Sequence, residues 1–540
     1  MRFLSRRLVP PVLALGLTSA VCLGAPAPPA AASDAPGRPL VATEAGPVRG
    51  VDHGAYRTFA GIPYAAPPVG ELRWRLPAPA RPWSGVRDAG RPGSPCPQAA
   101  SSEVPGGSTN EDCLYLNVTV PRTDRHRPLP VVVWLHGGGF LSGAGSSYDA
   151  HRMAERGNVV VVTLNYRLGI FGGFGFPGLA GSGDFGLADQ QAALGWVQRN
   201  AAAFGGDRHN VTLAGESAGG MSTCTQLTSP SAAGLFAKAI VQSGACTIDF
   251  GKNAVYPGVG HFSPWTSLPA VQSAGRQAAG TLGCAQASRA LSCLRAKPAA
   301  ALLRANQDFQ QVSYGTPLVP RRPATALRDG RFHRVPVLQG GNRDEMRAYV
   351  AALQQNQPIT ADSYRALLRD TFGDRAGRFA AVYSPTAYGT PALAWAALNT
   401  DRAYACPTLA ADRLLARHTA TYAYEFADRD APSIGYPRSP QLPLGAAHAT
   451  ELPYLFDLGG RHASFTRAQD ALATDMIDYW TAFARNGAPD RAPDGRRRAP
   501  WPQVSAGAAA PYVQQLDTGA GGIHRVDLAA EHRCRLWPQG

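Results

Sequence analysis

Short runs of consecutive apolar, β-branched residues recur along the chain, separated by longer stretches in which apolar positions return every three or four residues. Val131 to Trp134, Val159 to Leu164, Val211 to Ala214, Ala239 to Val241, Val335 to Leu338 and Thr421 to Glu425 are of the first kind, and their unbroken apolar character predicts buried strands. Gly186 to Asn200 is of the second kind, with Leu187, Ala188, Gln191, Leu194 and Val197 available for one face of a helix. Strands alternating with helices predict an α/β protein whose sheet is joined by crossover helices. No repeat and no long linker interrupts the pattern, and Pro/Gly-rich stretches near 81 to 110, 251 to 270 and 486 to 512 read as surface excursions of one domain.

Composition narrows this picture. Across 540 residues, 45% are hydrophobic and 17% charged, which suits a globular chain with a large core and excludes a disordered or fibrous one. The start has its own character: Arg2, Arg6 and Arg7, a mainly apolar run from Leu8 to Leu23, then the small residues Ala30-Ala31-Ala32 before Ser33. That pattern predicts an export signal over residues 1–32 and a secreted mature domain over 33–540. Arg6-Arg7 leaves a twin-arginine route open, and Cys22 a lipid attachment, although Val21 before it fits the latter poorly. The run is broken by Pro10, Pro11 and Gly16, and no later stretch approaches the ~18 apolar residues of a membrane span, so no stable membrane insertion is expected.

Export gives the cysteines a meaning. Nine are present, and removing Cys22 leaves an even number in an oxidising compartment, so disulfides are expected, with spacing unable to choose the pairing. No C-x-x-C, H-E-x-x-H or Cys/His cluster points to a metal, and no cofactor is expected. The 52 basic residues, less Arg2, Arg6 and Arg7, against 38 acidic ones leave +11. That charge is scattered as single arginines, the densest run being Arg496-Arg497-Arg498 in a Pro/Gly/Asp-rich loop, which argues against a nucleic-acid partner.

Chemistry enters at Gly215-Glu216-Ser217-Ala218-Gly219. A G-x-S-x-G is weak evidence alone, but this one follows the strand-like Val211-Thr212-Leu213-Ala214 and precedes a helix-compatible Gly220-Met221-Ser222-Thr223-Cys224. Strand, sharp turn and helix are what a nucleophile elbow needs to push the Ser217 hydroxyl out of the sheet. Upstream, His136-Gly137-Gly138-Gly139-Phe140 follows the strand Val131 to Leu135. Backbone N–H groups can converge there without side chains in the way, which suits stabilisation of an oxyanion. No Gly-Lys-Ser/Thr follows to make it a phosphate loop.

With these motifs the chain resembles the type B carboxylesterases, the family of cholinesterases, bacterial para-nitrobenzyl esterases and fungal lipases. The resemblance covers essentially all of the mature chain and rests further on Phe59-Ala60-Gly61-Ile62-Pro63-Tyr64-Ala65 with Leu72-Arg73-Trp74, on Glu111-Asp112-Cys113-Leu114-Tyr115-Leu116-Asn117, on Asn165-Tyr166-Arg167-Leu168 and on Phe204-Gly205-Gly206-Asp207. It implies the α/β-hydrolase fold: a large, mostly parallel central sheet flanked by helices, with helical insertions over the active site. It implies Gly138, Gly139 and Ala218 as oxyanion donors. A glutamate serves as acid in a G-x-N-x-D-E-G signature, matched by Gly340-Gly341-Asn342-Arg343-Asp344-Glu345; this nominates Glu345, with Met346 in place of the usual glycine and Asp344 as the alternative. Family position selects His448 among twelve histidines, in Gly445-Ala446-Ala447-His448-Ala449-Thr450-Glu451-Leu452. The order Ser217, Glu345, His448 agrees with nucleophile, acid, base in this fold. Glu216 and Glu451 are implied to lie behind the reacting groups.

The same resemblance suggests the bridges Cys96–Cys113, Cys284–Cys293 and Cys406–Cys534, leaving Cys224 and Cys246 as a fourth bridge or as two buried thiols. The expected activity is hydrolysis of carboxylic esters by a serine esterase acting on small-molecule substrates through an acyl-enzyme. Lipase, thioesterase or acyl-transfer chemistry could use the same residues, and noncatalytic binding relatives lack the serine or its partners. The first disulfide loop, Pro97 to Asp112, contains no Trp, Tyr or Phe, whereas cholinesterases carry there a tryptophan that meets the quaternary ammonium. Neutral, fairly hydrophobic esters are therefore expected over choline esters. Neither the physiological ester nor the oligomeric state follows from the residues.

Overall fold

The unbroken apolar runs become the centre of an 11-stranded sheet. The computed structural model describes residues 38–123, 127–433, 435–436, 442–490 and 499–537; the expected signal at 1–32, Cys22 and the arginines 496–498 lie outside the described residues. In chain order the strands of this sheet are β1 (Val51–Asp52), β2 (Tyr56–Pro63), β3 (Tyr115–Pro121), β4 (Leu129–Leu135), β5 (Val160–Leu164), β6 (Gly206–Glu216), β7 (Lys238–Gln242), β8 (Val337–Asn342), β9 (Thr421–Phe426), β10 (Val513–Leu516) and β11 (His524–Val526). Their spatial order is β11-β10-β9-β8-β7-β6-β4-β5-β3-β2-β1. From β10 to β5 every neighbour pair is parallel, and antiparallel pairs close both edges.

All residues of β4 and β5 are buried, because helices cover both faces. Along β4 the side chains alternate between two cores. Val131, Val133 and Leu135 join one that includes Leu194 and Val197 of α1 (Phe185–Asn200) and Leu227 of α2 (Ala218–Thr228). Val132 and Trp134 join another that includes Met476, Ile477, Trp480 and Phe483 of α3 (Arg467–Asn486). Helix α3 starts at a reciprocal cap between Thr466 and Gln469 and stops at Gly487 in the left-handed conformation. Residues Pro39–Gly540 form one compact unit, and no helix among the described residues is long and apolar enough to cross a membrane.

Differences from the predicted elements have physical causes. The strand predicted from Val335 begins at Val337 and runs to Asn342 through two glycines; a side chain on Gly340 would run into the carbonyl and ring of Tyr424 on the parallel neighbour. On α1, Gln191 is only half-buried, while Asp189 and Gln190 are buried. Asp189 faces Arg167, whose Nε and Nη2 each donate to its carboxylate at 2.7 Å. The Pro/Gly-rich stretches are not purely surface: Gln98, Trp265 and Trp501 are buried anchors within them, since Pro and Gly mark turns rather than exposure.

All four cysteine pairs are bridged, Cys96–Cys113, Cys224–Cys246, Cys284–Cys293 and Cys406–Cys534, with Cα separations of 4.9, 5.5, 5.7 and 5.3 Å. Several sequence marks of the family resemblance are structural. Arg73 pairs with Glu111, its Nε donating at 2.6 Å, and its Nη1 donates to the carbonyls of Leu294, Arg295 and Lys297. One guanidinium thus ties the first disulfide loop to a helix end.

Candidate functional site

Parallel strands bring their C-terminal ends to one edge, where ligand sites of open α/β sheets form. At that edge β6 ends at Glu216, and the chain reverses at Ser217 with φ 56° and ψ −121° before entering α2. A residue with a Cβ held at this φ and ψ is strained, and the surroundings enforce it. Ser217 N–H donates to the Gln242 carbonyl at 3.0 Å, and the Ser217 carbonyl accepts from Met221 N–H at 2.8 Å. Gly219 is required by contact: a Cβ there would run into the carbonyls of Leu135 and His136 at the end of β4.

His448, from the loop after β9, and Glu345, just after β8, meet this serine. The Ser217 hydroxyl lies 2.8 Å from His448 Nε2, and His448 Nδ1 lies 2.6 Å from Glu345 Oε2. The three side chains are buried. Glu345 Oε1 accepts from Ser243 Oγ at 2.6 Å and from Asn342 N–H at 2.8 Å, so both carboxylate oxygens are engaged and the ring faces a fixed partner. Met346, in place of glycine, sits at φ −79°, so the backbone makes no demand for glycine there. Asp344 does not reach the imidazole; it bonds to the loop carrying His448 and to two arginines.

Glu216 reaches the same ring from below, its Oε1 3.2 Å from His448 Nε2. Burial pushes the Glu216 carboxyl well above the usual carboxylate range, with the nearby Glu451 and Glu345 adding to the rise. Glu451 is also raised by burial and stands one step back, accepting from Gln242 Nε2 at 3.0 Å and Asn342 Nδ2 at 2.6 Å. Burial alone would lower the His448 imidazole, but Tyr349, Glu216 and Glu345 outweigh it, and the net direction is well above the ordinary histidine value.

Facing Ser217, the loop after β4 turns through Gly138 and Gly139 at φ 96° and 61°. The Gly138 carbonyl accepts from Leu141 and Ser142 N–H at 2.9 and 3.1 Å, closing a tight turn. The N–H groups of Gly138, Gly139 and Ala218 have no acceptor among the described residues, the last because it opens a helix. A hydroxyl on an imidazole whose far nitrogen is held by a carboxylate, beside unpaired N–H donors, can attack a carbonyl carbon and receive the resulting oxyanion.

Several members of this site were not singled out by the sequence. Ser243 and Asn342 hold Glu345, Gln242 links Glu451 to Trp480 Nε1 at 2.8 Å, and Tyr349 and Tyr404 stand 5.5 and 5.4 Å from the His448 ring centre. Position at the C-terminal ends of β7 and β8 was the available signal for Gln242, Ser243 and Asn342. The tyrosines lie on the helical insertion after β8, where no local pattern marks them. Among the described residues no group of three or more His, Cys, Asp or Glu side chains could hold a metal ion.

A family model described as the carboxylesterase family matches residues 37–537. Fumonisin B1 esterase from Sphingopyxis macrogoltabida is 34% identical over 528 residues, covering 92% of this chain and 91% of that protein. Para-nitrobenzyl esterase from Bacillus subtilis (strain 168) is 34% identical over 465 residues, 83% of this chain and 90% of that protein. Among solved structures, a thermophilic PNB esterase superposes with a TM-score of 0.72 at 30% identity, covering 92% of this chain and 99% of the other.

Proposed function

Because the chain belongs to the carboxylesterase family and is a carboxylic ester hydrolase, we propose that it works through Ser217 as nucleophile, His448 as base and Glu345 as the acid that orients the base, by way of an acyl-enzyme. His448 Nε2 accepts the Ser217 proton as Oγ attacks the ester carbonyl carbon. Glu345 holds the Nδ1–H tautomer and favours the imidazolium that forms. The oxyanion is received by the N–H groups of Gly138, Gly139 and Ala218. The imidazolium then protonates the leaving alkoxide, and a water molecule, deprotonated by the same nitrogen, releases the acid and restores Ser217.

The observation that carries this reading is the unbroken chain of hydrogen bonds, 2.8 Å from serine to histidine and 2.6 Å from histidine to glutamate, together with three N–H donors that have no acceptor among the described residues. We propose further that the enzyme is secreted. The support is the basic, apolar, small-residue start and the four bridges that occupy every cysteine after Cys22, which suit an oxidising compartment. Because Pro97 to Asp112 offers no aromatic face to a cation, the proposed substrates are neutral esters.

Replacement of Ser217 by alanine tests the mechanism. Turnover of a para-nitrophenyl ester should fall by about 10⁴-fold or more in a protein with unchanged circular dichroism, and a fluorophosphonate should label wild type at Ser217 alone. Undiminished turnover in the folded Ser217→Ala protein would overturn the proposal. N-terminal sequencing of protein recovered from the medium of an expressing host tests export: a start near Ser33 is expected, and intact Met1 would contradict it.

A further inference from the structure

The described stretch 442–451, which delivers His448, has little regular structure of its own. It crosses Gly445 at φ 61° and leaves the histidine through Ala449 at φ 64°. An alanine in the left-handed region is unfavourable unless its surroundings over-determine it. Something must therefore hold the loop: Asn342 Nδ2 donates to the Ala447 carbonyl at 2.7 Å, and a second set of polar contacts gathers around Asp344, the residue before Glu345.

Asp344 holds the loop with both main chain and side chain. Its N–H donates to the Ala446 carbonyl at 2.9 Å, and its Oδ2 accepts from Ala446 N–H at 3.2 Å. The carboxylate is buried, and two guanidinium groups fix it in place. Arg347 Nη2 lies 2.8 Å from Oδ1, while Arg429 Nε donates to Oδ2 at 3.0 Å. Arg347 also donates to the Pro443 carbonyl at 3.1 Å, so the loop is gripped at 443 and 446. One residue on, the Glu345 carbonyl accepts from His448 N–H at 3.2 Å. Asp344 and Glu345 therefore register the backbone of the histidine loop while Glu345 registers its ring.

We infer that Asp344, with Arg347 and Arg429, is the positioning clamp of His448: it sets where the imidazole stands between Ser217 and Glu345 without touching substrate. The inference rests on the triad proposed above. The clamp borders a polar cleft of about 360 Å³ lined also by Arg343, Asp401, His532 and Arg533 but by none of Ser217, His448 or Phe140, so it acts from outside the reaction site. A misplacement of about 1 Å in a reacting group can cost about a hundredfold.

The test compares Asp344→Ala, Asp344→Asn and Arg429→Ala with His448→Ala as the reference for losing the base. Asp344→Ala removes the acceptor for Ala446 N–H and both ion pairs; kcat should fall about 10- to 100-fold with KM within about twofold. Asp344→Asn keeps an oxygen for Ala446 and should lose less. In each variant the acid limb of kcat/KM should move to lower pH, because a displaced ring gains less from Glu345. Arg429 is 51% exposed, so Arg429→Ala keeps the test open if Asp344→Ala does not fold, and the same limb shift with a smaller fall in kcat is expected. A purely structural role would lower the melting temperature while leaving kcat and the limb at wild-type values in the folded protein, and that result overturns the clamp. Wild-type turnover in His448→Ala would instead overturn the triad.

Discussion

Two turns carry the proposed nucleophile and the proposed base, and they are built on opposite principles. The Ser217 turn is fixed by main chain pressed on main chain: Gly219 lies against the Leu135 and His136 carbonyls, and Ser217 N–H is bonded to Gln242. The His448 loop adds to its two main-chain bonds polar side chains reaching across the fold, Asn342 to the Ala447 carbonyl at 2.7 Å and Asp344 to Ala446 N–H. The first needs absence of side chains and the second needs particular ones. A group held by packed backbone tolerates polar substitution around it but no added atom; a group held by hydrogen bonds behaves the other way round.

The sharpest break of this contrast is Glu345→Gln, which adds no atom. It should lower kcat by about 10³- to 10⁴-fold, since an amide can present the wrong partner to Nδ1–H and cannot favour the imidazolium. Asp344→Asn should cost far less; equal or reversed losses in steady-state kinetics would move the acid to Asp344. On the serine side the mirror experiment is Gly219→Ala, a single methyl group. Its Cβ has no space before the Leu135 carbonyl, so activity should fall about a hundredfold or more and stability by about 3 kcal/mol. Denaturant unfolding and para-nitrophenyl ester turnover check both, and a stable, active Gly219→Ala protein would show that the backbone crossing is looser than drawn.

A smaller effect separates the two sides by pH. Only the neutral imidazole can accept the Ser217 proton, so activity is lost as pH falls through the His448 titration. Tyr349, Glu216 and Glu345 hold that imidazole well above its ordinary value against the pull of burial. The acid limb of kcat/KM should therefore lie above ~6.5, the unperturbed histidine value, with a tenfold loss per pH unit below it. A rate that stays flat down to about pH 5 would contradict His448 as base.

How much of this was legible in the sequence follows the same division. The elbow is local: a strand, G-x-S-x-G and a helix stand consecutively, so Ser217 could be named from a contiguous motif, and the glycine run after His136 marked where N–H groups converge, whereas the individual donors Gly138, Gly139 and Ala218 were named by the family resemblance. The central strands were legible because they are buried on both faces and read as unbroken apolar runs. Strands β2 and β3 passed unpredicted because each has one half-exposed face, and they were noticed only as family motifs. His448 had no local mark among twelve histidines, and only the family resemblance singled it out. Ser243, Asn342 and Asp344 gain their roles from strand register and loop crossing, which bring together residues about a hundred positions apart. Disulfide pairing is non-local for the same reason: spacing could not select among the pairings, and only the fold brings Cys224 to Cys246.

The smallest expected effect concerns the loop that backs the serine side. Between Cys96 and Cys113 the chain leans on the oxyanion turn through Gln98, whose amide pairs with both Gly143 N–H and the Gly143 carbonyl at 2.8 and 2.9 Å. It does so without an aromatic ring, since Pro97 to Asp112 contains none. A cationic ester head would find no electron-rich face there, and a desolvated cation–π contact worth about 2 kcal/mol corresponds to about 30-fold in kcat/KM. The chain's excess of basic over acidic residues, 52 to 38, also disfavours approach of a cation, weakly at physiological salt. We therefore expect a choline ester and its uncharged dimethylbutyl isostere to be hydrolysed with kcat/KM values within about threefold of each other. Two aromatic rings near the reacting groups, Tyr349 and Tyr404, stand beside the His448 ring, and their hydroxyls lie 3.1 Å apart. A clear preference for the choline ester, lost on Tyr349→Ala, would show that the histidine side supplies the cation platform, and the absence of aromatics from the first disulfide loop would then say nothing about substrate.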